Sequence, residues 1–373
     1  MKGKLKLILI ILGLSFNLIS CGPSSSWTTV GSRGISEGPA WDISLTTDNN
    51  TLYVAFKDKK ETPNCKPHPA LMTCAVGQLS VMKYENNFWS YVGEPRFTKG
   101  QASYIKIIVK DKIPYVAYTD RTLNNKITIT YFKNKKWQSL GKEGFSKNKV
   151  VGIDFTFVKN IPYVIASEFV NKSKARVMKY INKKWVTVGK ETISTGRAIE
   201  PKIASDGENI YIAYLDSSIK NAVVVKKFAG KWKDVTLKKV SDGEAYHLSL
   251  LARKDAIYIS YADVTENNRA TVKVFKNGKW SVLGKKGFTK LDANHGQFAI
   301  VNNTPFIAYR DIGNKQALSV MKFMNSKWIY VNKPAISSGT TNYISIASYN
   351  GKPVVAFTDN AKDGKLTVFK PKK

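Results

Sequence analysis

The chain is predicted to be all-β: a seven-bladed β-propeller, four antiparallel strands per blade, closed by an N-terminal strand that completes the last blade. Three observations predict it. Seven tryptophans, Trp27, Trp89, Trp137, Trp185, Trp232, Trp280 and Trp328, recur every 47 or 48 residues after a first interval of 62. Seven apolar strands end in an acid, at Asp58, Asp120, Glu168, Asp216, Asp263, Asp311 and Asp359. Between these marks the apolar residues alternate, as at Ile127, Ile129 and Tyr131, with no long stripe of helical period. A self-similar unit of this length cannot bury its own hydrophobic face and must stack on its neighbours.

The chain opens on a segment outside the fold. Lys2, Lys4 and Lys6 precede the apolar run Leu7 to Leu14, the layout of a secretory signal. Leu18, Ile19, Ser20 and Cys21 then resemble a bacterial lipobox, which implies a diacylated Cys21 as the first mature residue. A membrane-spanning helix is the alternative, but the apolar run is short. The expected organisation is a signal over residues 1–20, a tether over 21–26 and one propeller domain over 27–373. By the same resemblance, Gly22 after the cysteine points toward the outer membrane of a Gram-negative cell. The expected localisation is an exported, membrane-anchored lipoprotein, in the outer membrane or at the cell surface.

The long first interval places an insertion in the first blade. Cys65 and Cys74 both fall inside it and are expected to close a small loop as a disulfide, as suits an oxidising compartment. Half a metal site is the alternative, with His68 as the only nearby imidazole. In the second unit, strand A is expected near Ser103 to Val109, B at Pro114 to Thr119, C at Lys126 to Phe132, and D from Trp137. The polar turns fall at Lys110 to Lys112 and at Asn134 and Lys135.

The ends complement each other. The strand Trp27 to Gly31 precedes any A strand, and the last unit stops after its C strand, Leu366 to Phe369. The first strand is therefore expected to complete the seventh blade and remove an open edge.

Composition bounds the partners. The chain has 59 Lys+Arg against 27 Asp+Glu, a formal net charge of +32. Lysines crowd the turns, as at Lys133 to Lys136, where the bland reading is solvated hairpin tips. A field of one sign still attracts anions. Nucleic acid is not expected, because phosphate recognition favours the Arg fork and Arg is scarce. Anionic lipid or glycan fits an exported protein better.

The strings IPYVAYTD (Ile113 to Asp120), LSVMKY (Leu79 to Tyr84) and WSYVG (Trp89 to Gly93) resemble a repeat common in exported bacterial β-propellers. That family is similar in plan to the fucose-binding and other propeller lectins. The resemblance spans the mature chain and implies the fold; one propeller scaffold serves lectins, enzymes and assembly factors alike.

Residues that differ between blades are better site candidates than residues that repeat. Two places after the small residue opening each A strand stand Asp42, Tyr104, Gly152, Glu200, His247, His295 and Tyr343; two further on stand Ser44, Lys106, Asp154, Lys202, Ser249, Gln297 and Ser345. Simple alternation turns both sets to one side, the central channel. Trp41, Tyr104, Tyr246 and Tyr343 offer flat rings for a sugar face. The candidate ligand set is Trp41, Asp42, Tyr104, Glu200, His247, His295 and Tyr343. Glu200, His247 and His295 would also suit a metal or an acid/base group, although no metal and no cofactor is expected. The acid ring is expected to cap B-to-C turns, and the tryptophans to pack between blades.

An enzyme is not expected. The arginines are scattered, which does not suit a sialidase cluster, and His68, His247 and His295 leave few bases for a triad. A paired-carboxylate glycosidase stays open. The expected function is a lipid-anchored, non-catalytic, monomeric binding protein for an envelope glycan or anionic glycolipid. The alternatives are a protein-interaction scaffold in envelope assembly, with an envelope protein as partner, and a glycan-processing hydrolase.

Overall fold

The computed structural model describes residues 27–48, 50–61, 76–169 and 173–372. Cys21, Cys65, Cys74 and His68 lie outside the described residues, as do the expected signal and tether. Seven four-stranded antiparallel sheets stand in a ring, each numbered here as a blade with strands A to D from the inside outward. Blade 2 is representative, with A at Ala102–Lys110, B at Ile113–Asp120, C at Lys126–Lys133 and D at Lys136–Ser139. Each A strand contacts the A strands of both neighbouring blades, so these seven strands surround the axis.

Blade 7 is closed by the other end of the chain. Its A, B and C strands are Thr341–Tyr349, Lys352–Asp359 and Lys365–Pro371. Its D strand is Trp27–Thr29, with Trp27 opposite Pro371 and Thr29 opposite Phe369.

The repeated tryptophans do more than pack. Every indole N–H of the set donates to the carbonyl three residues after the preceding tryptophan in the ring, at 2.7–3.1 Å. Trp89 bonds the Val30 carbonyl, and Trp27 completes the circle at Val331. The next residue turns left-handed, which explains Gly93: its φ is +73°, and a Cβ there would lie 2.9 Å from the Phe132 ring. Thr236 and Asn332 take the same turn without glycine.

A second ring was not anticipated. Between strands D and A, a buried Ser or Thr hydroxyl donates to the carbonyl two residues on and accepts the N–H of the second residue of strand C in the preceding blade. Thr98 does this for Leu79, Ser146 for Ile127 and Ser337 for Leu318. The motif occurs in every blade-to-blade connection and satisfies backbone groups that would otherwise be buried unpaired.

The core lies between the sheets and not within them. One cluster joins Val54 and Phe56 of blade 1 to Val354 and Val368 of blade 7. Such residues are hydrophobic on both faces of a blade, which is why the strands read as near-continuous apolar runs.

Candidate functional site

The acid ring belongs to the scaffold. Asp58, Asp120, Asp216, Asp263 and Asp359 each accept the backbone N–H two residues on, capping the B-to-C turn as expected. Asp216 also accepts from the Thr195 and Gly196 N–H groups before strand A, at 3.2 and 2.8 Å. The B ends and the D-to-A connections therefore share one face. Two acids depart from the pattern. Glu168 accepts from the Asn148 N–H and from Arg176, at 2.7 and 2.9 Å. Asp311 makes no cap bond to its turn and instead accepts from Tyr309, Asn314 and Ser319.

The differing residues stand on the same face, at the mouth of the channel, but simple alternation does not put them there. Each A strand carries one register shift in this stretch, as between Trp41, opposite Lys57, and Ser44, opposite Ala55. Asp42 and Ile43 together oppose Phe56, a β-bulge. At this place Asp42, Tyr104, Glu200, His247, His295 and Tyr343 all have φ between +46° and +55°, and Gly152 has +152°. Left-handed backbone is unfavourable for Tyr, Glu and His, and ring closure holds it in blade after blade. The bulge breaks the two-residue period, so the two sets have different tasks.

The inner set latches blades together. Ser44 accepts the Ile107 N–H, Asp154 the Ile203 N–H and Ser345 the Leu45 N–H, each across a blade boundary at 3.0–3.1 Å. Lys106 pairs with Asp154 at 3.5 Å.

Three bulge residues and Trp41 form an arc. Trp41 stacks on Tyr343 with centroids 5.8 Å apart and planes 22° from parallel; His295 lies 6.3 Å from Tyr343, and His247 lies 4.8 Å from His295. The structure thus brings together four of the candidate residues, from blades 1, 7, 6 and 5. Glu200 continues the arc as a latch, both carboxylate oxygens accepting the His247 and Leu248 N–H groups at 3.1 and 2.6 Å. Asp42 is paired with buried Lys57 at 2.8 Å. Tyr104 stands 45% exposed beyond Asp42, and at blade 3 the Pro201 ring packs against Gly152, 2.9 Å from where a Cβ would lie. Tyr246 is also exposed, its hydroxyl donating to Glu244 at 2.7 Å.

Burial sets the protonation of the arc. It pushes His295 down to about 4, helped by His247 and Arg310, and it lowers His247 against the opposing charge of Glu200. Both imidazoles are neutral at pH 7. Burial likewise raises the Tyr104 and Tyr343 phenols, which stay protonated as donors. Among the described residues no three His, Cys, Asp or Glu converge as metal ligands.

Reading the sequence by repeat position missed Arg310, because it is a strand-B residue one place before the acid. It lies opposite Asn294 and donates from Nη1 to Asn342 Oδ1 at 2.7 Å, so it stands beside His295 and Tyr343. Cavities flank the ring. Trp41 lines one of about 330 Å³ with Glu37, Pro39 and Lys60, and Lys59 Nζ sits 5.1 Å from its ring. Another, about 460 Å³, lies at the outer boundary of blades 1 and 2, where Phe97 stacks on Trp137 above Lys99 and Lys136.

No protein-family model matches the sequence, and no curated protein does. Among solved structures, the chain is similar to the SapL1 lectin in complex with α-methyl fucoside, at 14% identity and a TM-score of 0.51, over 79% of this chain and 96% of that one. YjhT matches at 12% identity and 0.52, over 81% and 99%. A Mycobacterium tuberculosis puromycin-hydrolysing peptidase matches at 9% and 0.55, over 92% of this chain and 55% of that one. At such identities the likeness establishes the fold: this chain is a seven-bladed β-propeller with lectins among its structural neighbours.

Proposed function

We propose that this protein is a non-catalytic glycan-binding propeller whose ligand sits at the channel mouth on the arc Trp41, Tyr343, His295 and His247. The observation that carries the proposal is the arc itself. Four flat rings from four blades lie in succession, Trp41 stacked on Tyr343 and the two imidazoles tilted beyond it, with Tyr343, His295 and His247 each at a left-handed bulge. Aromatic faces take up the C–H face of a sugar, while neutral imidazole and phenol groups exchange hydrogen bonds with its hydroxyls. The SapL1 neighbour holds α-methyl fucoside on this fold, which makes a sugar a fitting ligand class, and the peptidase neighbour means that the site, not the fold, must support it.

Two free carboxylates, one as general acid and the other as base or nucleophile, are what a glycoside hydrolase would need at this place. Here Glu200 is committed to backbone N–H groups and Asp42 to Lys57, which favours binding over turnover. In the same proposal the protein is held at a membrane through an acylated Cys21. Palmitate label taken up by the wild type and lost in Cys21→Ala checks that anchor; equal labelling of both would refute it.

The site is tested on a glycan array and by titration of the strongest binder. Tyr343→Gly combined with His295→Gly removes two rings while relieving two left-handed strains, so the fold is expected to survive. Affinity should fall at least about tenfold, since one ring contact is worth about 1 kcal/mol. Unchanged affinity would move the site to the outer cleft beside Trp137. Capture of one protein with no sugar bound would establish the scaffold instead.

A further inference from the structure

The ring contains its own comparison for one charge. Lys57 in blade 1 and Arg310 in blade 6 occupy the same place on strand B, opposite Trp41 and Asn294 respectively. Beside each stands the left-handed bulge residue, Asp42 in blade 1 and His295 in blade 6. In blade 1 the two form a closed ion pair at 2.8 Å. In blade 6 the cation faces an imidazole, which burial keeps neutral and which cannot serve as its counter-ion.

The other groups around Arg310 do not supply the missing charge. Among the described residues its side-chain bond is to the neutral amide of Asn342, and its Nε is buried without a hydrogen-bond partner. Glu200 is the carboxylate whose field reaches both histidines, and its two oxygens are taken by backbone N–H groups. Lys202 adds a second positive charge, lowering His247 in the same sense as Arg310 does. A half-buried guanidinium without a carboxylate is costly, and the planar fork suits one in a bidentate pair.

We infer that the ligand supplies this carboxylate: the site selects a carboxylated sugar unit, such as a uronic acid, whose carboxylate pairs with Arg310 as Asp42 pairs with Lys57. Tyr343 and His295 then flank the sugar ring. This rests on the glycan-binding reading and deepens it by naming the ligand class.

The test is a glycan array carrying uronic-acid, sialylated, phosphorylated and neutral oligosaccharides, with each carboxylated glycan paired to its methyl ester. The wild-type chain should bind acids at least about tenfold more tightly than their esters, the scale of one charge-assisted pair. Arg310→Gln should lower acid affinity to that of the ester, with Arg310→Lys between Arg310→Gln and the wild type. If Arg310→Gln fails to fold, Asn342→Ala, which releases the guanidinium, serves in its place and should narrow the same preference. Equal binding of acid and ester by the wild type, a preference kept in Arg310→Gln, or stronger binding of phosphorylated glycans would overturn the carboxylate assignment while leaving a glycan-binding protein. No binding to any glycan would overturn both.

Discussion

Removal of residues 27–31 should leave a chain that no longer folds as a stable monomer. This short segment joins the two ends of the ring. Trp27–Thr29 pairs with the last strand, and the Val30 and Ile35 N–H groups extend the ladder to the Val368 and Leu366 carbonyls at 2.8 Å. The Trp27 indole bonds Val331 in blade 6, and the Val30 carbonyl receives the Trp89 indole from blade 1. Trp27 is 3% exposed and Val30 1%, so both are core residues placed 300 residues away from their partners. Truncating a buried Trp costs about 3–5 kcal/mol, a large part of the 5–15 kcal/mol that holds an ordinary domain. Deletion adds an unpaired edge on strand C of blade 7, where another chain can pair. Size-exclusion chromatography should show aggregates, and thermal melting followed by circular dichroism should show the folded remainder losing structure well below the intact chain. Trp27→Ala should show the milder form of the same loss. A deletion variant that melts like the wild type would mean that the ring closes by other contacts.

Asp216→Ala should cost about 3 kcal/mol and leave ligand affinity intact. A solvated cap is worth about 0.5–2 kcal/mol, but Asp216 is more than a cap. It is 3% exposed and accepts from the Ser218 N–H and hydroxyl and from the Thr195 and Gly196 N–H groups. Alanine strands several donors at once where water cannot reach all of them, and an unsatisfied buried donor costs about 1–3 kcal/mol. Asp216→Asn keeps one carbonyl acceptor and should recover part of the loss. Denaturant unfolding reads this as a lowered midpoint at unchanged slope. A normal midpoint accompanied by lost glycan binding would make the acid ring, and not the channel mouth, the binding surface.

The blade number, the four strands of each blade, the closure by Trp27 to Gly31 and the capping acids were legible in the sequence. All of them are local or periodic. A tryptophan every 47 or 48 residues, an acid at the end of each B strand and a missing D strand at the C-terminus are read without knowing what touches what. The turn geometry follows from the side chain two residues away. The candidate set Trp41, Asp42, Tyr104, Glu200, His247, His295 and Tyr343 was also legible, since it is defined by departure from a repeat.

What those residues do was decided by the closed ring. Simple alternation placed the bulge set and the inner set on one side, and the bulge in every A strand separates them. That bulge has no glycine signature, because the packing of blade on blade holds Tyr, Glu and His at positive φ against their own preference. Glu200 became a latch on the backbone of blade 5, and Asp42 became the partner of Lys57. Trp41 meets Tyr343 across about 300 residues of chain only because the first strand closes the last blade. Arg310 shows the limit most clearly. In the sequence it is one basic residue among 59, and its missing counter-ion exists only by comparison with Lys57 two blades away around the ring. Periodicity is written along the chain, whereas charge balance in a channel depends on which seven strands face one axis, and that is settled only when the ring is closed.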